Sequence, residues 1–423
     1  MSKDQFVVAL DIGSSKISCV VANLDGSRIS VIGAHTGESK GIKSGVVNNI
    51  DKAVSSINDV INKAEMMSGQ AISRVVVTIS GTHIESLNSR GVVAVSGQNS
   101  EINADDISRV NDAAQALSLP SSREIVHVLP REYVVDRQKG ISDPSGMTGI
   151  RLEVEANIIH GSTTAIKNLV KCVQQIGIEV DQLAYSGLSS AEAVLTDTEK
   201  ELGTILIDIG GGTMDLIIYS SGRPAYSAVL PIGGQDITND LAIGLRALLE
   251  DAEKVKVRLS DYEEFSSKAV IIDKNGREAK IPKGELYVGD LNFGMDSVPI
   301  SVLNEIIYKR LEEAFKFVKI YVKKAGFADK LPAGVVLTGG TSMIPGIENI
   351  AEDIFRLPVR VGKPSGIIGL ADQIQTPSHS AVIGALKYVS STIQESGRTN
   401  GRRNGTIMGI NERIKSFFKS FLP

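Results

Sequence analysis

Two short stretches carry the residues best suited to chemistry. Asp11 ends an apolar run and is followed by Gly13, Ser14, Ser15 and Lys16; Asp208 ends another and is followed by Gly210, Gly211, Gly212 and Thr213. A turn rich in glycine and small hydroxyl residues exposes backbone N–H groups that can cradle phosphate oxygens. The aspartate before each turn suits Mg2+ held largely through water, because that ion keeps several waters and uses few carboxylates. One such turn is, in most chains, an ordinary hairpin. Two of them, 197 residues apart in the same local pattern, read as two jaws on one polyphosphate. A third stretch, VVLTGGTSMIPGI at 335–347, is a buried strand ending in two glycines before a helix restarts. Gly339 and Gly340 would let backbone approach a base or ribose closely, which makes this turn the natural nucleoside site.

These turns need strands on either side. FVVALDI (6–12) is a continuous apolar run, ISCVVA (17–22) follows the first turn, and ISVIGAH (29–35) follows Asp25-Gly26, a strong hairpin signal. Ile50, Ala53, Val54, Ile57, Val60, Ile61 and Ala64 then recur at helical spacing, and VVVTIS (75–80) is a further strand. TILIDI (204–209), MDLIIYS, AYSAVLPI and a helical DITNDLAIGL repeat the same order, so the chain is a two-copy pseudo-repeat. Residues 84–162 have no counterpart and read as an α+β insertion in the first half. Helices are expected over 163–176, 297–324 and 379–388. Small residues at Ser186, Gly187, Ser189, Ser190 and Ala191, and again at Ala381, Gly384 and Ala385, would let two helices cross closely.

The composition excludes several classes. In 423 residues, 42% are hydrophobic and 22% charged, as in an ordinary globular chain and unlike a disordered, collagen-like or disulfide-stapled one. Aromatic residues make up 4% with no Trp, which argues against a stacking platform for nucleic acid. Cys19 and Cys172 fit no metal or redox motif and read as reduced core residues. No apolar run is long enough for a transmembrane helix, and no secretory signal opens the chain. Net charge is −4, yet residues 398–423 hold six cations against Glu412, a balance of +5 that leaves the rest at −9. Residues 390–405 read as a flexible polar linker, reaching about 20 Å as a coil. Beyond it, Ile407, Ile410, Ile414, Phe417, Phe418, Phe421 and Leu422 fall within an arc of about 140° on a helix, with Arg413, Lys415 and Lys419 at its flank. Such a helix suits an anionic lipid interface.

ALDIGSSK, LIDIGGGTMD and VLTGGTSMIPG resemble the two phosphate motifs and the adenosine motif of the actin/Hsp70/sugar-kinase superfamily. SGTHIESLNSRGVVAVSGQN, REYVVDRQKGISDPSGMTGIRLEV and VDQLAYSGLSSAEAVLTDTEKELG are similar to the FtsA family of bacterial cell-division proteins, from about residue 6 to 390. The resemblance implies an α/β, actin-like two-domain ATPase fold with two RNase-H-like halves, an inserted α+β subdomain and a C-terminal amphipathic helix on a flexible linker. It implies subdomain 1A over 1–83 and 163–203, an insert 1C over 84–162, and subdomains 2A and 2B over 204–389, with 2B at about 230–305. The linker would then cover 390–405 and the membrane-targeting helix 406–423.

The same resemblance implies ATP and Mg2+ as cofactors. Gly13 to Lys16 and Gly210 to Thr213 would face the phosphates, with Asp11 and Asp208 on the metal. Glu253 and Lys256 would clamp adenine, and Gly339, Gly340, Thr341 and Met343 would meet the adenosine. The acid that orients water in Hsp70-like relatives aligns with Gly187 or Leu188 here. Asp215 is either its substitute or a structural strand-end acid, so hydrolysis is expected to be slow at most. The implied partners are the C-terminal peptide of FtsZ near Arg310 and Glu313, further copies of the chain, an anionic membrane surface and later division proteins, with no nucleic acid. The implied place is the cytoplasmic side of the inner membrane at the division site. Alternatives within the superfamily are a pilus or secretion assembly ATPase and a small-molecule kinase.

Overall fold

Strands β1 (Phe6–Ile12), β2 (Lys16–Asp25) and β3 (Arg28–Glu38) form an antiparallel meander. Ala9, Leu10, Val20 and Val21 are buried, as in strands covered on both faces. A small hairpin, β4 (Ile42–Lys43) with β5 (Val46–Val47), precedes helix α1 (Ile50–Ser68). Asn49 caps α1 by accepting the Lys52 N–H at 2.9 Å, and Gly69 in the left-handed region ends it. Strand β6 (Arg74–Ile79) runs parallel to β1. In this computed structural model residues 6–25, 28–117, 119–260, 283–291, 294–370 and 374–400 are described.

The second half repeats the first. Strands β12 (Thr204–Ile209), β13 (Met214–Ser220) and β14 (Arg223–Leu230) form the same meander, and β17 (Val335–Thr338) runs parallel to β12 as β6 does to β1. The two turns are closed by the same bond: Gly13 N–H to Lys16 O at 3.0 Å, and Gly210 N–H to Thr213 O at 2.9 Å. Asp11 faces Ser18 across one meander, and Asp208 faces Asp215 across the other. Order, direction and register all agree with the pseudo-repeat.

The insert contains β7 (Glu85–Ala94), α2 (Ala104–Gln115), β8 (Arg123–Val135), β9 (Gln138–Ile141) and β10 (Arg151–Ser162), around a core that includes Ile102, Val110, Leu152 and Ile158. The chain returns through α3 (Thr163–Gln174) and β11 (Glu179–Tyr185). One sheet has the order β11-β6-β1-β2-β3-β19, where β19 is Ile367–Gly369. The other is nine-stranded, β18-β17-β12-β13-β14-β7-β10-β8-β9, where β18 is Val359–Val361. The insert interrupts the first half in sequence but extends the sheet of the second half in space. The joint is narrow: Ala228 pairs with Glu85, while Ser86 Oγ donates to Ser227 O at 2.7 Å and accepts the Ser227 N–H at 2.9 Å.

Helices α4 (Ser186–Val194) and α5 (Asp197–Leu202) lead into the second half. There α6 (Gly234–Leu245), α7 (Leu249–Ser260), α8 (Ile300–Lys324) and α9 (Ile347–Phe355) bury apolar faces that include Leu241, Val255, Phe315 and Ala351. The short pair β15 (Glu285–Tyr287) and β16 (Ser297–Pro299) precedes α8. The last helix, α10 (Ser380–Asn400), crosses α4 so closely that a Cβ on Gly384 would lie 1.6 Å from Ser189 O. This is the contact the two small-residue stretches were expected to make.

One expectation is overturned here. The linker expected over 390–405 is helical through Asn400. At its start Ser391 Oγ and Thr392 Oγ1 donate to Tyr388 O at 2.8 and 2.9 Å, and Ser390 is buried. Residues 401–405 of the expected linker and the amphipathic segment 406–423 lie outside the described residues. Among the described residues no helix is long and apolar enough to cross a membrane.

Candidate functional site

The β1–β2 and β12–β13 turns face each other across a cleft. A Cβ on Gly211 would lie 1.8 Å from Ser15 Oγ, and one on Gly212 would lie 2.8 Å from Ser14 Oγ. Any side chain at either glycine would hold the turns apart. The cleft is lined by Asp11 to Lys16, Asp208, Gly210 to Thr213, Gly339 and Gly340, which joins three separate sequence motifs.

Its floor is unusually acidic for so buried a place. Thr78 donates to one oxygen of Asp11 at 2.5 Å, and Ser190 donates to one oxygen of Asp208. The second oxygen of each carboxylate has no hydrogen-bond partner among the described residues. Burial pushes the Asp11 carboxyl up, opposed by Lys16 and the Thr78 hydroxyl. Burial pushes Asp208 up to about 6, with the Ser190 bond and Lys16 pulling it down and Asp11 adding to the rise. Burial also lowers Lys16, against the two aspartates, and its Nζ donates to Ser378 O. Two buried carboxylates with one free oxygen each gain from a nearby cation, so this donor set fits a water-coordinated Mg2+. No group of three or more acid, His or Cys side chains that could hold a metal occurs among the described residues.

Asp215 also lines the cleft. Ser80 Oγ, from the end of β6, lies 2.8 and 2.7 Å from its two oxygens, and Thr213 Oγ1 lies at 3.3 Å. Burial first, and then Asp208, hold this carboxyl well above the ordinary range. Ser80 belongs to one half and Asp215 to the other, so their bond spans the cleft floor.

The adenosine candidates divide. Gly340 lines the cleft, and a Cβ there would make only an ordinary van der Waals contact, with Ser378 Cβ at 3.6 Å. Gly339 has another reason to be glycine: its φ is +86°, and a Cβ would meet Asp208 Oδ1 at 2.3 Å. Thr341 Oγ1 donates to Gly210 O at 3.1 Å, tying this turn to the second phosphate turn. Lys256 Nζ donates to Gly234 O at 2.9 Å, Thr238 Oγ1 at 2.8 Å and Glu253 Oε2 at 2.7 Å. A Cβ on Gly234 would sit between Thr341 Oγ1 and Lys256 Nζ, so Glu253 and Lys256 gather beside the Gly339–Met343 turn but outside the cleft lining. Met343 is exposed there.

Arg310 is clamped within the protein. Its Nε and Nη2 donate to the two oxygens of Asp240 at 2.6 and 2.9 Å, and Nη1 donates to Glu313 at 2.6 Å. Sequence reasoning missed Gly45, Ser80, Ser186, Ser378 and Ala381 in the cleft lining. Ser80 had a signal, since ligands favour the carboxyl ends of parallel strands and β6 is parallel to β1. Gly45 lies in the two-residue turn between β4 and β5, and Ser378 in a single 3-10 turn, Pro377–His379, both too short for a periodic pattern to show.

Residues 205–384 match the family model described as cell division protein FtsA, and residues 81–160 match that described as the SHS2 domain inserted in FtsA. The chain is similar to the cell division protein FtsA of Pseudomonas aeruginosa, 40% identical over 386 residues, with 91% of this chain and 89% of that protein covered. It is similar to that of Neisseria meningitidis, 38% identical with 99% of both covered, and to that of Bacillus subtilis, 35% identical with 95% and 87% covered. Among solved structures it resembles a PilM-PilN type IV pilus biogenesis complex, with TM-score 0.59, 15% identity, and 92% and 99% of the two chains covered. It also resembles MreB5 of Spiroplasma citri bound to ADP, with TM-score 0.52, 14% identity, and 94% and 99% covered. Likeness at such identities concerns the fold.

Proposed function

This chain belongs to the FtsA family of cell-division proteins, and from that premise we propose that it binds ATP in the cleft and polymerises on the cytoplasmic face of the membrane, tethering the FtsZ ring there. The observation that carries the nucleotide reading is the facing pair of turns, with Gly211 and Gly212 seated against Ser15 and Ser14. Their backbone N–H groups, the two hydroxyls and Lys16 suit a polyphosphate. Asp11 and Asp208 would hold Mg2+ largely through water. The metal, when bound, neutralises phosphate charge and holds the carboxylates ionised. Gly340 would leave room for the nucleoside, with Thr341 fixing that turn and Glu253 and Lys256 beside it on the base side.

Halves joined by a close helix crossing suit rigid-body closure on a ligand. Both oxygens of Asp215 are engaged by the Ser80 hydroxyl and one also by Thr213, so the carboxylate is not free to orient a water in the ligand-free cleft, in line with slow hydrolysis. ATP then acts chiefly as a conformational ligand. The insert would meet the next copy and recruit later division proteins.

The membrane anchor is the amphipathic segment from Ile407 to Leu422. Its cations would each add about 1 kcal/mol near an anionic surface, and many tails on one polymer would bind far more tightly than one. A peptide from FtsZ at Arg310 and Glu313 would have to compete with, or add to, the existing Asp240 clamp.

The test mixes the full chain, and a version ending at Asn400, with anionic vesicles and Mg-ATP. Ending there leaves α10 whole. The full chain is expected to sediment with the vesicles and to form filaments on them, while the shortened one stays in the supernatant yet still binds ATP by calorimetry. Equal sedimentation of both would refute the anchor, and absence of ATP binding in both would refute the cleft.

A further inference from the structure

His379 has no place in the function described so far, yet its ring ties the first sheet to the turn that opens α10. Nε2 lies 3.2 Å from Thr36 Oγ1 on β3, and Thr36 Oγ1 lies 3.0 Å from Oγ of the buried Ser18 on β2. On the other side of the ring, Nδ1 lies 2.8 Å from Thr376 Oγ1 and 3.3 Å from Ser378 Oγ. Ser18 stands opposite both Asp11 on β1 and Thr36 on β3, and Asp11 stands beside Thr78 on β6. The row Thr78, Asp11, Ser18 and Thr36 thus crosses the sheet and ends on His379. Burial, and then the Lys16 charge, push the imidazole down to about 3, so the ring is neutral at ordinary pH and keeps one nitrogen as an acceptor.

The backbone of the same residue faces the cleft. His379 ends the 3-10 turn Pro377–His379, immediately before α10. Its N–H donates to Thr376 O at 3.0 Å. The N–H and C=O of one trans peptide point in opposite directions, so this bond turns the Ser378 carbonyl the other way. Lys16 Nζ donates to that carbonyl. Lys16 and Ser378 both line the cleft, and His379 stands behind them, outside the lining. An ammonium has three protons to give. Ser378 takes one, and the other two have no hydrogen-bond acceptor among the described residues. The nucleoside end of the turn is held separately: Pro377 O accepts the Gly339 N–H at 3.1 Å, and Thr338 Oγ1 lies 2.6 Å from Ser380 Oγ.

We propose that His379 is a positioning residue for Lys16: braced between Thr36 and Thr376, it fixes the Ser378 carbonyl, which holds the lysine in the cleft with two protons left for the phosphates of a nucleotide. The inference rests on the reading of the cleft as a nucleotide site. Lys16 is a long side chain in a place where burial favours its neutral form. A carbonyl that engages one proton orders the ammonium before any ligand arrives, and the phosphates then meet it without the entropy cost of ordering it. His379 itself touches no phosphate. Its effect falls on the phosphates rather than on the nucleoside, because Thr338 and Gly339 hold the other end of the turn without the imidazole.

The experiment measures Mg-ATP affinity by calorimetry, and adenosine affinity by competition with a fluorescent ATP analogue. The proteins are the full chain, His379→Ala, His379→Gln and Thr36→Val. His379→Ala is expected to lose about threefold to tenfold in ATP affinity, the worth of one preordered long side chain, while adenosine affinity changes less than about twofold. Glutamine keeps a group that both donates and accepts, and is expected to restore most of the loss. Thr36→Val removes one brace and is expected to lose about twofold to threefold, again in ATP affinity alone. Thermal midpoints identify any variant that fails to fold. Thr36 is exposed, so its variant keeps the core, and it decides if His379→Ala unfolds. Equal losses of ATP and adenosine in the folded variants, no loss at all, or a glutamine variant as weak as the alanine one would overturn the role of His379 and leave the cleft intact. An unaltered chain that binds neither ATP nor adenosine would overturn the cleft itself.

Discussion

Replacing Gly384 by alanine tests the helix crossing on which closure depends. In an open helix this change stabilises by about 1 kcal/mol, because glycine is the poorer helix former. The tertiary structure reverses the sign. The added methyl would stand 1.6 Å from Ser189 O, 2.2 Å from its carbonyl carbon and 3.0 Å from its Cα, all backbone atoms that no rotamer change can move aside. A carbon–oxygen contact normally lies near about 3.3 Å, so α4 and α10 must part by about 1.7 Å along that line. Overpacking on this scale costs about 1–3 kcal/mol. Because only backbone atoms obstruct the methyl, the cost lies in the upper part of that range, about 2–3 kcal/mol, and the helix-propensity gain leaves a net loss of about 1–2 kcal/mol. The assay is urea unfolding of the full chain followed by circular dichroism, with nucleotide affinity as a second readout. Affinity should fall as well, because the two phosphate turns sit on halves that this crossing aligns. A midpoint equal to or above that of the original chain would refute the crossing, since it would mean the methyl meets open space.

Two further outcomes follow from the charges. Asp208 is held up to about 6 from an ordinary 3.8, so its contribution to stability is full below pH 3.8 and is lost as pH rises through about 6. Without ligand, Asp208→Asn should therefore gain on the original chain by up to about 3 kcal/mol between pH 4 and 7, and thermal midpoints at matched pH would show a flat difference if the reasoning is wrong. Arg310→Ala should cost about 1–2 kcal/mol, because Asp240 is left half-buried and unpaired. Asp240→Ala should cost a similar amount and the double variant little more, whereas fully additive losses in a double-mutant cycle would show that the clamp does not exist.

The site was legible in the sequence where local chemistry and strand patterning coincide. Gly13 to Lys16 and Gly210 to Thr213 stand out because a buried strand must end before a glycine turn, and the 197-residue spacing marks the repeat. Their partners were less visible. Ser80 sits at the end of an ordinary strand, and Gly45 in a hairpin of only two residues per strand, too short for any period to show. The end of the last helix was misread for the opposite reason. Residues 390–400 carry turn-forming types, but Ser391 and Thr392 bond back to Tyr388 and the helix continues. The reason for Gly339 was also misplaced, because the carboxylate that crowds it comes from a strand more than a hundred residues earlier.

The sequence alone determined the repeated meander, its turns, the insert as a separate unit and the small-residue stretches of the crossing helices. These follow from periodicity, apolar runs and turn chemistry, which act over a few neighbouring residues. Only the tertiary structure decided that the two turns face each other at the distance of a serine hydroxyl. It alone joined the insert to the sheet of the opposite half through Ser86 and Ser227, and placed Asp215 under Ser80. Those contacts link residues 135 and 141 positions apart, and such pairings depend on how completed sheets and helices pack rather than on any local pattern.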